Sequence, residues 1–461
     1  MDKFGTDAIY LSFMRDEQKR KEILDTQAHK NYVYYKGDHL GITAYLLSHL
    51  SGIISDPNVI GLMPKVYLND IPKITKRLCM LYKNTPYREY NKELSEDQQV
   101  VLNKANKSYK EFHRQAKLLN TIIVRPIWRE KTNSFDYNIF GRQFATAITN
   151  EHNQFELEEI YYPRMINIAG KDQTIYFHWT NDEYWATDDN QKRISPAELS
   201  DILTPDGSNP YKRIPFAVLR LQESEDFWGD GLSDLVNLVE VNNGRLCDAT
   251  YKRWLSFGYP VGVNLGITAS EFEVAPYKPI MANNVKTDEQ TPSLNFITPD
   301  HQTAEDQELI DYTRKAGGTS KGLSAGSFEQ TEAALSGYAK MIDNLELIDL
   351  NNDDRDALME FEKDLFSLMS LEAEVSKAKV RFNGMTLDKV VFSEYKFPKT
   401  TDEIWKDREM KYKFNQETPI DWLVEDEGLD EDEARQRILD NRKLKIEIGD
   451  SRPTLFETVN G

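Results

Sequence analysis

Apolar and polar positions change period several times along the chain, and each change marks a candidate element. From Met14 to Tyr35 charged and apolar residues share a helical spacing that runs into the turn Lys36-Gly37-Asp38, which predicts an amphipathic helix closed by glycine. Further on, Asn69 or Asp70 is placed to cap a helix with Ile71, Ile74, Leu78 and Leu81 on one face, and Pro86 stops it. A second helix from Glu96 to Leu119 follows. Between Thr121 and Arg220 the period shortens to β-branched and aromatic runs, TIIVRPIW, FELEEIYY, TIYFHW and EYWAT, separated by Asn, Asp and Gly. This is the pattern of an antiparallel β region, closed by RIPFAVLRL.

The motif GDGLSDL then opens a helix from Leu232 to about Ser256, with Asp230 or Ser233 near its start. Leu235, Leu238, Val239, Leu246, Ala249 and Trp254 form its apolar stripe, and Asn242, Asn243, Arg245, Asp248, Lys252 and Arg253 its polar one. At 1.5 Å per residue such a helix is roughly 37 Å long. Gly258 to Pro299, with the strand-like pieces YPVGVNLGI and SLNFIT, reads as a small excursion, and a helix from Thr303 to Lys315 brings the chain back. The segment AGGTSKGLSAGSFEQTEAALSG predicts a flexible loop. A long helix from near Thr331 to about Ala378, kinked at NNDDRD, comes next, then strands in KVRFNG and KVVFSEYKF and an acidic helical tail from Pro419 to about Lys445.

Composition narrows the class. With 39% hydrophobic and 29% charged residues, 461 positions suffice for several packed layers, so a folded chain is expected. Two cysteines, Cys79 and Cys247, build no disulfide framework and suit a reducing interior. No stretch reaches the roughly 18 apolar residues of a membrane helix, which disfavours membrane insertion. The 57 basic residues against 76 acidic ones leave a net charge of −19, opposite in sign to a protein that clamps nucleic acid by neutralising phosphates.

Several patterns suggest chemistry and have a plainer explanation. Asp349, Asn351, Asp353 and Glu360 follow most of the calcium-loop spacing, but the sixth place is Asp354 where the turn needs glycine, so a solvated break in a helix is the expectation. Glu223, Glu225, Asp226 and Asp230 offer carboxylates for a magnesium-dependent nuclease, yet they lie on one loop before a helix, where acids commonly meet the helix dipole. GGTSKG lacks Walker A spacing, no HExxH or GxSxG is present, and the seven dispersed tryptophans are expected to pack. The run EDEGLDEDEAR is read as an exposed helix face. No catalytic residue, metal or cofactor is expected.

The order of parts resembles the portal proteins of tailed bacteriophages across most of the chain. The resemblance rests on YYKGDH at Tyr34 to His39, NDIPKITKRLCMLYKNTP at Asn69 to Pro86, RIPFAVLRLQESEDFWGDGLSDL at Arg213 to Leu235, and LSGYAKMIDNLELI at Leu335 to Ile348. SEYKFPKTTDEIWKDREMKYK before TPIDWLVEDEGLDEDEARQRI completes it. It implies an α+β protomer that assembles into a dodecameric ring, with a mixed α/β wing over 1–230 and again over 335–400. Stem helices over 231–257 and 303–316 bracket a small clip over 258–302, a tunnel loop spans 317–334, and a helical crown occupies 401–461. Asn242, Arg245, Lys252 and Arg253 then belong to the stem, and Gly317, Gly318, Thr319, Ser320, Lys321, Gly322 and Ser324 to the loop lining the channel, with Lys321 touching the DNA backbone transiently.

The partners so implied are further copies of the chain, double-stranded DNA, the large subunit of the terminase motor, a head-completion or adaptor protein, and the major capsid and scaffold proteins. The site of action is a capsid vertex of the virion, after assembly in the host cytoplasm and away from any membrane. A conduit should hold DNA weakly, and twelve times −19 is −228, a repulsive field for phosphates. The alternatives are the nuclease built on Glu223 to Asp230 and a capsid adaptor of another ring size.

Overall fold

The computed structural model describes residues 17–168, 171–195, 199, 206–255, 259–263, 293–297, 303–323, 345–393 and 401–447. It is a mixed α+β protein with several small antiparallel sheets. The chain divides into two compact units, Met1–Gln330 with Glu346–Tyr395, and Thr331–Leu345 with Lys396–Gly461.

In the larger unit, local chemistry sets most helix ends. Helix α1 (Glu17–Lys36) closes at Gly37, whose φ of +67° lets the Gly37 and Asp38 amides donate to the carbonyls of Tyr34 and Val33. Asp38 then caps α2 (His39–Ile53) through the Leu40 amide, and Asp56 caps α3 (Pro57–Leu62) through that of Asn58. Helix α4 is shorter than expected: it runs Ile71–Leu78 and ends well before Pro86. The stop comes from far along the chain, where the Asn351 side chain donates to the Leu78 carbonyl (2.9 Å) and accepts from the Met80 amide (3.0 Å). Strand β1 (Tyr87–Tyr90) follows, then α5 (Glu96–Leu119) at its expected bounds, opened by a Ser95–Gln98 capping box.

The β region is antiparallel, as its alternation predicts. Strands β2 (Thr121–Arg129), β3 (Ser134–Phe140), β4 (Thr146–Asn150), β5 (Asn153–Ile168), β6 (Lys171–Trp179), β7 (Tyr184–Thr187) and β8 (Ala217–Arg220) form two sheets, ordered β3-β2-β8 and β4-β5-β6-β7. Strand β2 is apolar on both faces because it lies between two cores. Ile122 and Val124 pack with the helices, and Ile123 packs with the aromatic core of Tyr162, Phe177, Trp179, Tyr184 and Phe216. Pro126 sits beyond the last residue of β2 that pairs with β8, so its missing amide costs that ladder nothing.

Helix α6 (Ser233–Leu255) leads to β9 (Tyr259–Val263), which pairs with β10 (Ser293–Ile297), and α7 (Thr303–Thr319) returns. The excursion thus begins and ends as an antiparallel pair, and its middle, 264–292, lies outside the described residues. Helix α8 (Leu345–Val375) runs without interruption through NNDDRD, contrary to the expected break. Asn351 and Asp354 are buried instead of solvated, Asp354 to 1%. The first half of the predicted long helix, before Leu345, lies outside the described residues. KVRFNG is not a strand: it turns at Gly384, with Phe382 buried, and strand β11 (Leu387–Val391) pairs with β1.

Two charged clusters sit in the helical core between α5 and α8. The Asp354 carboxylate accepts from His113 (3.0 Å) and Lys117 (2.8 Å). Burial raises its pKa, but the His113 hydrogen bond and the Lys117 charge outweigh burial and hold it below the usual carboxylate range. Burial dominates at His113 and lowers its pKa, despite the Asp354 contact. Nearby, Arg88 meets Glu362 through Nε (2.5 Å) and Nη2 (3.0 Å), donates to Asn106 (2.6 Å), and lies 4.6 Å from the centre of the Tyr109 ring. The Tyr82 hydroxyl donates to the same Glu362 carboxylate at 2.7 Å.

In the smaller unit, the expected acidic tail is two helices following a third: α9 (Thr401–Lys413), α10 (Pro419–Glu427) and α11 (Glu431–Glu447). Thr418 and Asp421 form a capping box at the start of α10, and Gly428 in left-handed geometry ends it. Trp422 is buried beneath Trp405, Tyr412 and Arg408, and Arg408 forms a fork with Asp426 at 2.6 and 2.7 Å.

Candidate functional site

The candidate site is the hairpin of α6 and α7, and its position is set by the loop that opens α6. Within that loop Asp226 accepts from the amides of Trp228 (3.0 Å) and Gly229 (2.8 Å) and pairs with Arg142 (2.6 Å). Burial opposes its charge, but the Gly229 amide and Arg142 hold its pKa below the ordinary value. Gly231, at φ +56°, passes so close to the Leu118 carbonyl that an added Cβ would lie 2.2 Å from its oxygen, and the Leu232 amide donates to that carbonyl at 3.0 Å. Glu225 pairs with Arg20 at 2.7 Å. The acids from Glu223 to Asp230 therefore anchor the helix start through Asp226. Among the described residues no group of three or more His, Cys, Asp or Glu is placed to hold a metal ion. Asp349, Asn351, Asp353 and Glu360, spaced like a calcium loop, lie in the unbroken helix α8, where the first three fall within about one turn and Glu360 about two turns further on.

The polar stripe of α6 is split. Asn242 and Asn243 are buried to 5% and 2% and serve packing: Asn242 accepts from Thr313 on α7 (2.9 Å) and from Arg245 (3.3 Å), and Asn243 accepts from the Leu68 amide (2.8 Å). Lys30 meets Glu240 at 2.8 Å with both side chains mostly enclosed. The polar residues of α6 therefore do not share one exposed face, because α1, α2, α4 and α7 all pack against this helix. Lys252, nearer its end, bonds Asp248 (2.6 Å) and approaches Asp306 of α7 (3.7 Å), and Arg253 is exposed beside it. The side chain of Trp254, and Ser256, lie outside the described residues.

The glycine-rich segment differs from the expected loop at its start. Gly317, Gly318 and Thr319 are the last residues of α7, and Ser320, Lys321 and Gly322 turn the chain at its end. Gly317 is a contact glycine: an added Cβ would lie 2.5 Å from Leu238 Cδ2, so its absence lets α7 approach α6. Thr319 and Ser320 hydroxyls return to the carbonyls of Lys315 and Gly317, both at 2.8 Å. Gly322 takes φ +76° beside Leu350, and Leu323 is buried. Lys321 reaches Asp234 at the start of α6, 2.8 Å away. Ser324 and the rest of the predicted loop to residue 334 lie outside the described residues.

Sequence reading missed the exposed side of α7. This helix packs chiefly on α6 and is tied to the start of α4 by Arg314 and Asp70 at 2.6 Å. On its outer side Leu309, Tyr312 and Ala316 share one strip at helical spacing, with Tyr312 70% and Leu309 43% exposed. Glu308 and Asp311, also exposed, fall on the neighbouring strip. The spacing was legible, but the side of the helix that would meet α6 was not.

No protein-family model matches the chain, and no curated protein matches it. Among the described residues no helix is long and apolar enough to cross a membrane.

Proposed function

We propose that the chain is the subunit of a ring-shaped conduit for double-stranded DNA, of the bacteriophage portal type, and that it catalyses no reaction of its own. The observation that carries this reading is the outer side of α7, where an exposed apolar strip runs beside an acidic one on a helix braced from behind by α6. An exposed Leu and Tyr on one helix strip suit burial against a neighbouring copy. Carboxylates beside that seam suit a lumen past which phosphates must slide, since like charge prevents adhesion. The β9–β10 pair between the two helices corresponds to the clip, where the terminase motor and the head-completion or adaptor protein would dock. The major capsid and scaffold proteins would surround the wing.

Lys321 has a structural role beside the transient DNA contact proposed for it. Paired with Asp234, it fastens the end of α7 to the start of α6. Negative-stain microscopy of the purified full chain tests the proposal: annular particles with a central hole are expected. Tyr312→Asp combined with Leu309→Asp should abolish the rings and leave the melting transition of the monomer intact. Wild-type protein that stays monomeric at every concentration contradicts the proposal.

A further inference from the structure

Between the two sheets of the β region lies a cleft of about 390 Å³, reached from the surface and unrelated to the α6–α7 hairpin. Its walls are Tyr162, Phe177, Trp179, Tyr184 and Tyr211, and it holds two arginines, Arg125 and Arg164. Arg125 interrupts the apolar run of β2 on the same face as Ile123. Its guanidinium lies 4.4 Å from the centre of the Trp179 ring and 5.7 Å from that of Tyr211.

A buried guanidinium ordinarily has a carboxylate partner, because desolvation of an uncompensated charge is costly. Arg125 has none within ion-pair distance among the described residues; its one hydrogen bond is a long contact of 3.5 Å with the Tyr211 hydroxyl. The carboxylate beyond that hydroxyl, Glu372, is already engaged by Tyr211 (2.5 Å) and by the Trp128 amide (3.0 Å). Two residues of the lining each carry a buried donor with no acceptor: Arg125 at Nε and Trp179, a residue only 1% exposed, at the indole Nε1. Arg164 is exposed and pairs with no carboxylate among the described residues. The lining thus offers donors and positive charge among aromatic rings, with no acid.

We infer that this cleft is a binding site for a carboxylate carried on a flat aromatic group, free or at the end of a peptide. Arg125 and Arg164 meet the carboxylate, the Trp179 indole N–H supplies a further donor, and the aromatic walls enclose the ring. The planar guanidinium fork matches a carboxylate in two parallel bonds. A phosphate is the poorer fit, since such sites usually recruit free backbone amides, and here the neighbouring amides are spent in the sheet ladders. This site goes beyond the conduit reading and stands or falls separately from it.

The test is ligand-detected saturation-transfer NMR on the full chain. The probes are N-acetyl-phenylalanine, its uncharged amide, the peptide Gly-Gly-Phe with a free C-terminus, and inorganic phosphate. Saturable binding of the acid is expected, with the amide at least about ten-fold weaker for loss of the charge-assisted bonds. Tighter binding of Gly-Gly-Phe than of the free acid assigns the source to a peptide terminus, and the reverse order assigns it to a small molecule. Arg164→Gln, at an exposed position, should weaken the acid several-fold, and Arg125→Lys, which keeps the charge but loses the fork, should do the same. Equal binding of acid and amide overturns the inference. So does phosphate competing as well as the acid, or no saturable binding up to about 10 mM.

Discussion

Arg88 and Arg125 sit in the same unit, each enclosed and each against an aromatic ring, at 4.6 Å from Tyr109 and 4.4 Å from Trp179. Arg88 has both oxygens of Glu362, the Asn106 side chain, and a tyrosine hydroxyl completing the carboxylate's partners. Burial alone would lower its pKa, and Glu362 more than reverses that, so its pKa is raised. Arg125 has only the Trp179 and Tyr211 rings and a marginal contact with the Tyr211 hydroxyl. The two sites share ingredients and differ in the counter-charge. A closed cluster holds α8 to the strand before α5, whereas an open one waits at a cleft for a charge from outside.

The contrast breaks most readily at Glu362. Glu362→Gln should destabilise the larger unit by about 3–5 kcal/mol, because it leaves Arg88 charged and uncompensated in the core. Denaturant unfolding measures this.

The next effect is pH-dependent and comes from the other closed cluster. His113 has a lowered folded pKa, so below the ordinary histidine value of about 6.5 the unfolded chain takes up a proton that the folded one refuses. Asp354, also lowered, adds stability above the ordinary carboxylate value and loses it as pH falls through its depressed folded value. Both terms have the same sign: stability should fall on acidification, first below about pH 6.5 and again in the strongly acid range. His113→Gln should remove the first slope and leave the second. Asp354→Asn should cost about 2–3 kcal/mol at neutral pH by removing charge-assisted hydrogen bonds.

Arg125→Met should cost about 1 kcal/mol or less, since no buried partner is stranded. A loss as large as at Glu362 would erase the distinction between the two arginines. Smallest is Lys321→Ala, at a partly exposed pair with Asp234, for which less than about 1 kcal/mol is expected.

How much of this was legible in the sequence depends on where each element's determinants lie. Helix α5 was readable to the residue because Ser95 and Gln98 close its start locally and Asn120, at φ +67°, its end. The antiparallel β region was readable because alternation and turn residues are local too. Helix α4 was overextended because its terminator, Asn351, is some 270 positions away. The same distance hid the burial of Asn351 and Asp354, which look like a solvated break until Leu78, Met80, His113 and Lys117 come to meet them. Strand β1 is too short to announce itself, whereas the strand expected in KVVFSEYKF forms as β11 and finds β1 some 300 positions away. Gly317 and Gly318 carry a loop-like composition, and nothing short of the Leu238 contact reveals a tight helix crossing. At the candidate site the start of α6 was foreseeable, but the exposed side of α7 depended on which face α6 would cover.

The central claim is self-assembly through the outer strip of α7 into a closed ring, and native mass spectrometry of the purified chain tests it most directly. Twelve copies of a 53.5 kDa chain predict a dominant species of about 640 kDa. A single species at the mass of one chain, unchanged as concentration rises, would contradict it.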